Sequence, residues 1–172
     1  MHGGPSIVDL EDLPWMEVSK IRLSDGRVVG IKEKWIAMSP RYVAFFNVWD
    51  PGAITPPHGH TGDHGIYIVE GSVTSPQGEA RAGSHIMLEW GDLFGPGEAD
   101  PEGCELYGFM AGDGAPFAGD PAVFQALLDA RGAKSVPLPM PTRLPPWFGS
   151  ERSALLAKVQ GAGDVNIWAA PS

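Results

Sequence analysis

The chain of 172 residues is long enough for one domain with a full hydrophobic core, and its hydrophobic share of 43% is ordinary for a soluble globular protein. A net charge of −9 argues against nucleic acid or an anionic membrane surface as a partner. A single cysteine excludes an intrachain disulfide. The sequence has no apolar run long enough to span a membrane and no secretory signal. Together with the single cysteine, these features predict a cytoplasmic protein.

The first two thirds of the chain read as β-structure. Abundant glycine (23) and proline (17), with few helical patterns, favour an all-β protein. Residues 1–16 form a predicted N-terminal arm whose segment 7–10 is suited to a sheet edge. An Asp25-Gly26 hairpin follows, and residues 96–103 are predicted to be an acidic loop. Strands at spacings typical of a sandwich or barrel are predicted at residues 18–23, 28–36, 42–49, 66–69, 72–74, 85–90, 93–94 and 105–110.

The last third has a different pattern. Asp120 as cap, Pro121 in the first turn and Gly132 at the end predict a helix over 120–132. Its predicted apolar stripe is Val123, Leu127 and Ala130. A proline-rich extended segment, 136–147, and a second helix, 151–159, are predicted beyond it.

We predict a single domain over residues 1–172. It divides into the arm (1–16), a β-barrel (17–112) and a C-terminal helix with an extended tail (113–172). Ordered chain ends usually pack against other protein surface, such as that of a second subunit. The two long ends of this chain therefore predict a homodimer.

Three histidines stand close together in the sequence. His58 and His60 are two residues apart, so their side chains leave an extended strand on the same face. His64 follows a tight connection at 61–63 and opens the apolar run 66–69. A hairpin there would return His64 to the first pair, and three neutral imidazoles at one point suit a divalent transition metal.

The intervals around these histidines resemble the first sequence motif of the cupin family. Gly52, His58, His60, His64 and Gly71 match the pattern Gly-x5-His-x-His-x3-Glu-x6-Gly, except that histidine replaces its glutamate. The resemblance covers roughly residues 28–112. It implies a small single-domain cupin: a jelly-roll β-barrel with a metal in its mouth, an N-terminal arm and a short helical C-terminal extension.

The second motif of that family is matched only in part. Residues 91–94 begin it well, but one residue is missing before Pro96 and one after it. Counted from Gly97, the position of the family's last histidine holds Asp100. The resemblance therefore implies His58, His60 and His64 as metal ligands, with Asp100 as the replacement for the missing histidine.

Such a site predicts a metal-dependent enzyme acting on a small-molecule substrate. Three imidazoles leave open positions on the metal where substrate oxygens chelate. Iron(II) is the expected metal, for a non-haem dioxygenase that cleaves or oxidises a small oxygenated organic compound. Zinc, nickel or manganese would instead give a lyase or isomerase. A non-catalytic metal- or ligand-binding cupin module and a metal-free epimerase-like or cyclase cupin are further alternatives.

Other polar residues compete for a role near the metal. Glu98 is a candidate base beside Asp100, although a loop glutamate is more often solvated. Tyr107 is a candidate hydrogen-bond donor to substrate if it faces the barrel interior. His85 competes as a ligand, but it shares a strand face with exposed residues. Asn47 shares a face with large aromatic side chains, so its amide needs a buried partner.

Overall fold

The structure, a computed structural model, describes residues 6–138. The predicted second helix (151–159) and most of the proline-rich segment lie outside the described residues. The homodimer and the division into arm, barrel and tail stay predictions.

Eleven strands and one α-helix make up the described part of the chain. The strands are β1 Met16–Arg22, β2 Val28–Met38, β3 Tyr42–Trp49, β4 Ile54–Thr55, β5 His58–His60, β6 His64–Ser75, β7 Gly78–Arg81, β8 His85–Leu88, β9 Gly97–Ala111, β10 Pro116–Ala118 and β11 Lys134–Ser135. The helix α1 is Pro121–Ala130, and a short 3-10 helix spans Leu10–Asp12. This agrees with the predicted all-β class.

The strands form one large antiparallel sheet and one small one. The nine-stranded sheet runs β11-β1-β2-β3-β9-β6-β7, with β4 added to β9 and β8 to β6. The second sheet pairs β10 with β5, the strand that carries the first two histidines. Alternate residues of β2, β3, β6 and β9 point inward, and their apolar side chains form a single core.

The segment predicted as an acidic loop is instead extended strand. Residues 97–103 are part of β9, where Ala99 pairs with Val73 of β6 and is 2% exposed. Acidic side chains alternate with small buried residues there, which is the alternation of exposed and buried positions expected of a strand. The acidic composition made this segment resemble a loop. Pro101 lacks an N–H, and it lies where the pairing with β6 shifts register between Gly71 and Val73.

The chain beyond residue 112 belongs to the sheets as well as to the helix. β10 pairs with β5, and β11 pairs with β1, so two short strands accompany the predicted helix. The helix itself is confirmed, with the Asp120 carboxylate accepting from the Ala122 N–H at 2.8 Å. The buried face of the helix differs from the predicted apolar stripe of Val123, Leu127 and Ala130, since Val123 is 44% exposed. The contacting residues are Phe124, Leu127 and Leu128. No helix in residues 6–138 has the length and apolar content needed to cross a membrane.

Within the N-terminal arm, residues 6–15 form no strand, and Leu10 and Trp15 contact the outer face of β2. Residues 7–10, suited by sequence to a sheet edge, lie outside any strand, and Ile7 is 90% exposed. The arm is held instead by Lys34, whose Nζ donates to the Leu10 carbonyl at 2.5 Å and lies 4.6 Å from the centre of the Trp15 ring. The outer face of β2 is thereby covered, while its inner face is left for the barrel interior.

A glycine on β9 makes room for an aromatic wall beside the histidines. A Cβ at Gly108 would lie 2.1 Å from Cζ of Phe45, so only glycine lets that ring cross the strand. The Phe45 ring in turn lies 5.8 Å from the His64 ring, between centroids. The missing side chain of Gly108 therefore helps to set the position of a histidine.

We expect Gly108→Ala to destabilise the fold by about 1–3 kcal/mol, because the added methyl group overlaps the Phe45 ring. Gly65→Ala is the matched control, since a Cβ at Gly65 meets nothing closer than 3.7 Å. Urea denaturation of both variants measures the difference. Equal unfolding midpoints would refute the steric role of Gly108.

Candidate functional site

The three histidines are brought together by β5 and the start of β6. His58 pairs with Ala118 and His60 with Pro116, so β10 fixes the short strand between them. His64 begins β6 and pairs with Met110. The ring centroids of His58 and His60 are 5.3 Å apart, and those of His60 and His64 are 4.9 Å apart. In each pair the two ring planes are nearly perpendicular. The prediction that a tight connection returns His64 to the first pair agrees with this arrangement.

Backbone carbonyls select the tautomer of two of these rings. The Nδ1 of His58 lies 2.9 Å from the Pro56 carbonyl oxygen, and the Nδ1 of His60 lies 2.8 Å from that of Gly114. A carbonyl only accepts, so each Nδ1 carries the proton and donates. Each Nε2 is therefore left with a lone pair, which is the form in which histidine binds a metal.

A buried aspartate holds the carbonyl that orients His60. Asp113 is 3% exposed and accepts from the Thr61 hydroxyl at 2.7 Å and from the Ala115 N–H at 3.0 Å. These bonds tie the chain on either side of Gly114 to the chain just after His60. The position of the His60 ring thus depends on a carboxylate that does not line the cavity.

Burial keeps all three imidazoles neutral. Loss of hydration lowers the pKa of His58, and it lowers that of His60 further with the help of its two histidine neighbours. The pKa of His64 falls to about 3, mainly by desolvation and secondarily by the proximity of His58. Lone pairs for a cation are therefore available across the neutral pH range.

The histidines line a cavity of about 130 Å³. Most of its walls come from β2, β3, β6 and β9, with Phe94 from the segment between β8 and β9, and they are mainly aliphatic and aromatic, including Ile66, Leu106 and Met110. Cavities of roughly 150 Å³ accept a ligand of the size of benzene. The space therefore suits a small molecule rather than a polymer.

Two unpartnered polar atoms belong to the cavity walls. Within residues 6–138, the buried side-chain nitrogens that lack a hydrogen-bond partner are Nε2 of His64 and Nε1 of Trp49. Such atoms are costly unless a ligand or ion satisfies them. No group of three or more His, Cys, Asp or Glu side chains in this part of the chain is arranged to hold a metal ion as it stands. The donor chemistry fits a metal, and the rings would need to adjust to share one.

Comparison with known proteins identifies the family. The ChrR cupin-like domain family matches residues 4–110. The chain belongs to this family. No curated protein sequence matches this cupin.

Solved structures share the fold at low sequence identity. An acetylacetone dioxygenase from Acinetobacter johnsonii is 16% identical with a TM-score of 0.57, over 91% of this chain and 95% of that one. An RmlC-like cupin from Ralstonia eutropha is 16% identical with a TM-score of 0.52, over 95% and 94%. An RmlC-like cupin from Shewanella frigidimarina is 19% identical with a TM-score of 0.50, over 65% and 95%. These likenesses show the cupin fold.

The two acidic candidates of this cupin do not reach the cavity. Asp100 is half-buried and accepts a hydrogen bond from the Ser72 hydroxyl, so its side chain is occupied on the β6 side. Glu98 forms an ion pair with Arg131 at 2.7 Å, on the helix side of β9. Neither lines the cavity that holds the histidines. These placements disagree with a ligand role for Asp100 and a base role for Glu98, because β9 continues where a loop was expected.

Tyr107 and His85 also lie away from the histidines. Tyr107 is 39% exposed, because its neighbour Leu106 takes the inward position on β9. This placement disagrees with its predicted role as a donor to substrate. His85 is exposed and contacts Tyr67, with ring centroids 4.9 Å apart. That agrees with the prediction that it shares the outer face of its strand.

The structure adds one acidic residue that the sequence reasoning missed. Glu33 on β2 lines the cavity, and its Oε2 accepts from Nδ2 of Asn47 at 2.7 Å. The buried partner that Asn47 was expected to need is therefore this carboxylate. An available signal was the alternation Ile31, Glu33, Trp35, which places an acid among inward-facing apolar residues.

We expect the metal-free protein to lose stability as the pH falls below about 6.5. The pKa of His64 is lowered from 6.5 to about 3 in the folded state, so the unfolded chain binds more protons between these values. His58 and His60 shift in the same direction. Each such group contributes up to about 1.4 kcal/mol per pH unit. Urea unfolding with a chelator present, at about pH 7 and pH 5, measures the loss.

The Glu33 carboxyl changes the pH dependence of stability in the direction opposite to that of the histidines. Its pKa is raised from 4.5 to about 7, so its stabilising contribution is complete below about pH 4.5 and disappears as the pH rises through 7. Glu33→Gln is therefore expected to make the acid loss steeper. A metal-free Glu33→Gln variant that is equally stable at both pH values would contradict burial of the neutral histidines.

Proposed function

We propose that this cupin is a metal-dependent enzyme for a small oxygenated organic substrate, most specifically a non-haem iron(II) dioxygenase. The observation that carries the proposal is the group of three neutral imidazoles inside an apolar cavity. Two of them are fixed by backbone carbonyls with Nε2 free, and the third has a buried Nε2 without a partner. Three neutral ligands would leave the metal its full charge, which favours an anionic or chelating substrate.

Different residues of the cavity would bind the metal, orient the imidazole rings and exclude water. His58, His60 and His64 would hold the ion through nitrogen atoms, and the metal would supply Lewis acidity and, as iron(II), activation of dioxygen. The carbonyls of Pro56 and Gly114 keep two of these rings in the binding tautomer. The apolar walls exclude water around the substrate, which strengthens electrostatic interactions within the cavity. The structural relative that is an acetylacetone dioxygenase supports this reading at the level of the fold alone.

A lyase or isomerase is the second candidate function, and Glu33 is the observation that favours it. A carboxyl group in the cavity wall is suited to moving protons on a substrate without oxidising it. Zinc, nickel or manganese in the same histidine site would serve such a reaction.

We expect freshly purified protein to contain about one divalent metal ion per chain, most of it iron(II). His64→Ala is expected to lower the metal affinity by tenfold or more, since it removes one of three donors. His85→Ala is the matched control, because His85 is exposed and lies outside the cavity. Elemental analysis measures the content of all three proteins. Full metal content in His64→Ala would remove His64 from the ligand set.

Oxygen dependence separates the two candidate reactions. We expect turnover of small dicarbonyl or hydroxycarbonyl compounds to stop without dioxygen, because a dioxygenase consumes it as a substrate. Oxygen uptake at an electrode, with product analysis under air and under nitrogen, measures this. Undiminished anaerobic turnover would favour the lyase or isomerase. Metal binding with no turnover of any compound would favour a binding module.

A further inference from the structure

A carboxyl group shares the cavity with the three histidines. Glu33 on β2 pairs directly with Asn47 on β3, and both side chains line the cavity. Among residues 6–138, neither Lys nor Arg lines the cavity, and the other titratable groups on its walls are the three histidines. The half-buried Glu33 carboxyl therefore has no ion-pair partner among the described residues of these walls.

Two nitrogen donors hold the Glu33 carboxyl in place. Its Oε2 accepts from Nδ2 of Asn47 at 2.7 Å, and its Oε1 accepts from the indole N–H of Trp35. An amide N–H and an indole N–H donate but do not take up a proton. Each carboxylate oxygen keeps a further lone pair. A proton on Glu33 therefore passes to an acceptor other than Asn47 and Trp35, such as a bound substrate.

Glu33 and the three histidines line the same cavity. Phe45 lies two residues before Asn47 on the same inward face of β3, and its ring contacts that of His64. Two residues of a strand cover about 7 Å. The wall that carries Asn47 and Glu33 therefore continues from the Phe45 ring beside His64, and a substrate bound at the histidines shares the cavity with the Glu33 carboxyl.

The electrostatic setting gives this carboxyl a useful proton affinity. Burial raises the pKa of Glu33 to about 7, while the hydrogen bonds from Trp35 and Asn47 oppose the rise. A base whose pKa lies near the working pH exchanges protons most effectively. Such perturbed carboxyls in a pocket are typical of functional sites.

We propose that Glu33 is the proton acceptor of the cavity, positioned to deprotonate a bound substrate at a carbon next to a carbonyl group. This inference rests on the proposed function for the binding of substrate at the histidines. The C–H bond breaks, its proton forms a bond to a Glu33 oxygen, and the electron pair stays on the substrate as an enolate. Glu33 later returns the proton to the product or to water. The unpartnered Nε1–H of Trp49 is a suitable donor to an oxygen of such a substrate.

Glu33→Gln tests the proposal, with Glu98→Gln as the matched control. Both replace a carboxyl with an amide, but Glu98 lies outside the cavity in an ion pair with Arg131. Acetylacetone is the probe, mixed with metal-loaded protein under nitrogen so that no oxidation follows. Ultraviolet absorbance in a stopped-flow instrument reports enolate formation. We expect its rate to fall about a hundredfold or more in Glu33→Gln and to stay unchanged in Glu98→Gln.

A second readout does not depend on the metal. Infrared difference spectra of the metal-free protein are expected to show a protonated carboxyl band that titrates near pH 7 and is absent from Glu33→Gln. An unchanged enolate rate in Glu33→Gln with full metal content would overturn the proposal, and so would the absence of that band. Protein that binds no metal but keeps the band would contradict the proposed function while supporting the assignment of the acid-base group.

Discussion

The burial of three uncharged imidazoles in an apolar barrel is the constraint on which the site depends. Desolvation disfavours their protonated forms, so the rings enter the core as neutral donors of lone pairs. Their N–H groups must still be satisfied, and two backbone carbonyls do this for His58 and His60. The unpartnered Nε2 of His64 leaves the arrangement incomplete in a way that a metal ion would complete.

The barrel supplies this environment through strands that are distant in sequence. β5 is only three residues long and is placed by β10, which begins more than 50 residues later. Asp113 joins the same two regions by accepting from Thr61 and Ala115. A short histidine strand is thus held by contacts between distant parts of the chain that form only on folding, and local propensity contributes little to its position.

The cavity combines three imidazole nitrogen donors with a separate carboxyl group. The histidines and Glu33 face the same space, and the carboxyl of Glu33 is held by hydrogen bonds from Asn47 and Trp35. Separation of the electrophilic part from the proton-transfer part is a common plan in enzymes that act beside a carbonyl group. The apolar wall around the histidines and Glu33 lowers the local dielectric constant, which strengthens the electrostatic interactions of both.

Local patterns were sufficient for the class of fold, the first hairpin, helix α1 and the histidine group. Alternation, Asp-Gly turns and capping residues act over a few positions, and the fixed intervals around His58, His60 and His64 predicted their convergence. Only the tertiary structure decided which acids reach the cavity. Strand β9 continues through a segment with loop-like composition and carries Glu98 and Asp100 away, while pairing of β2 with β3 brings Glu33 in. One residue of register changes the face of a side chain, and long-range pairing sets that register.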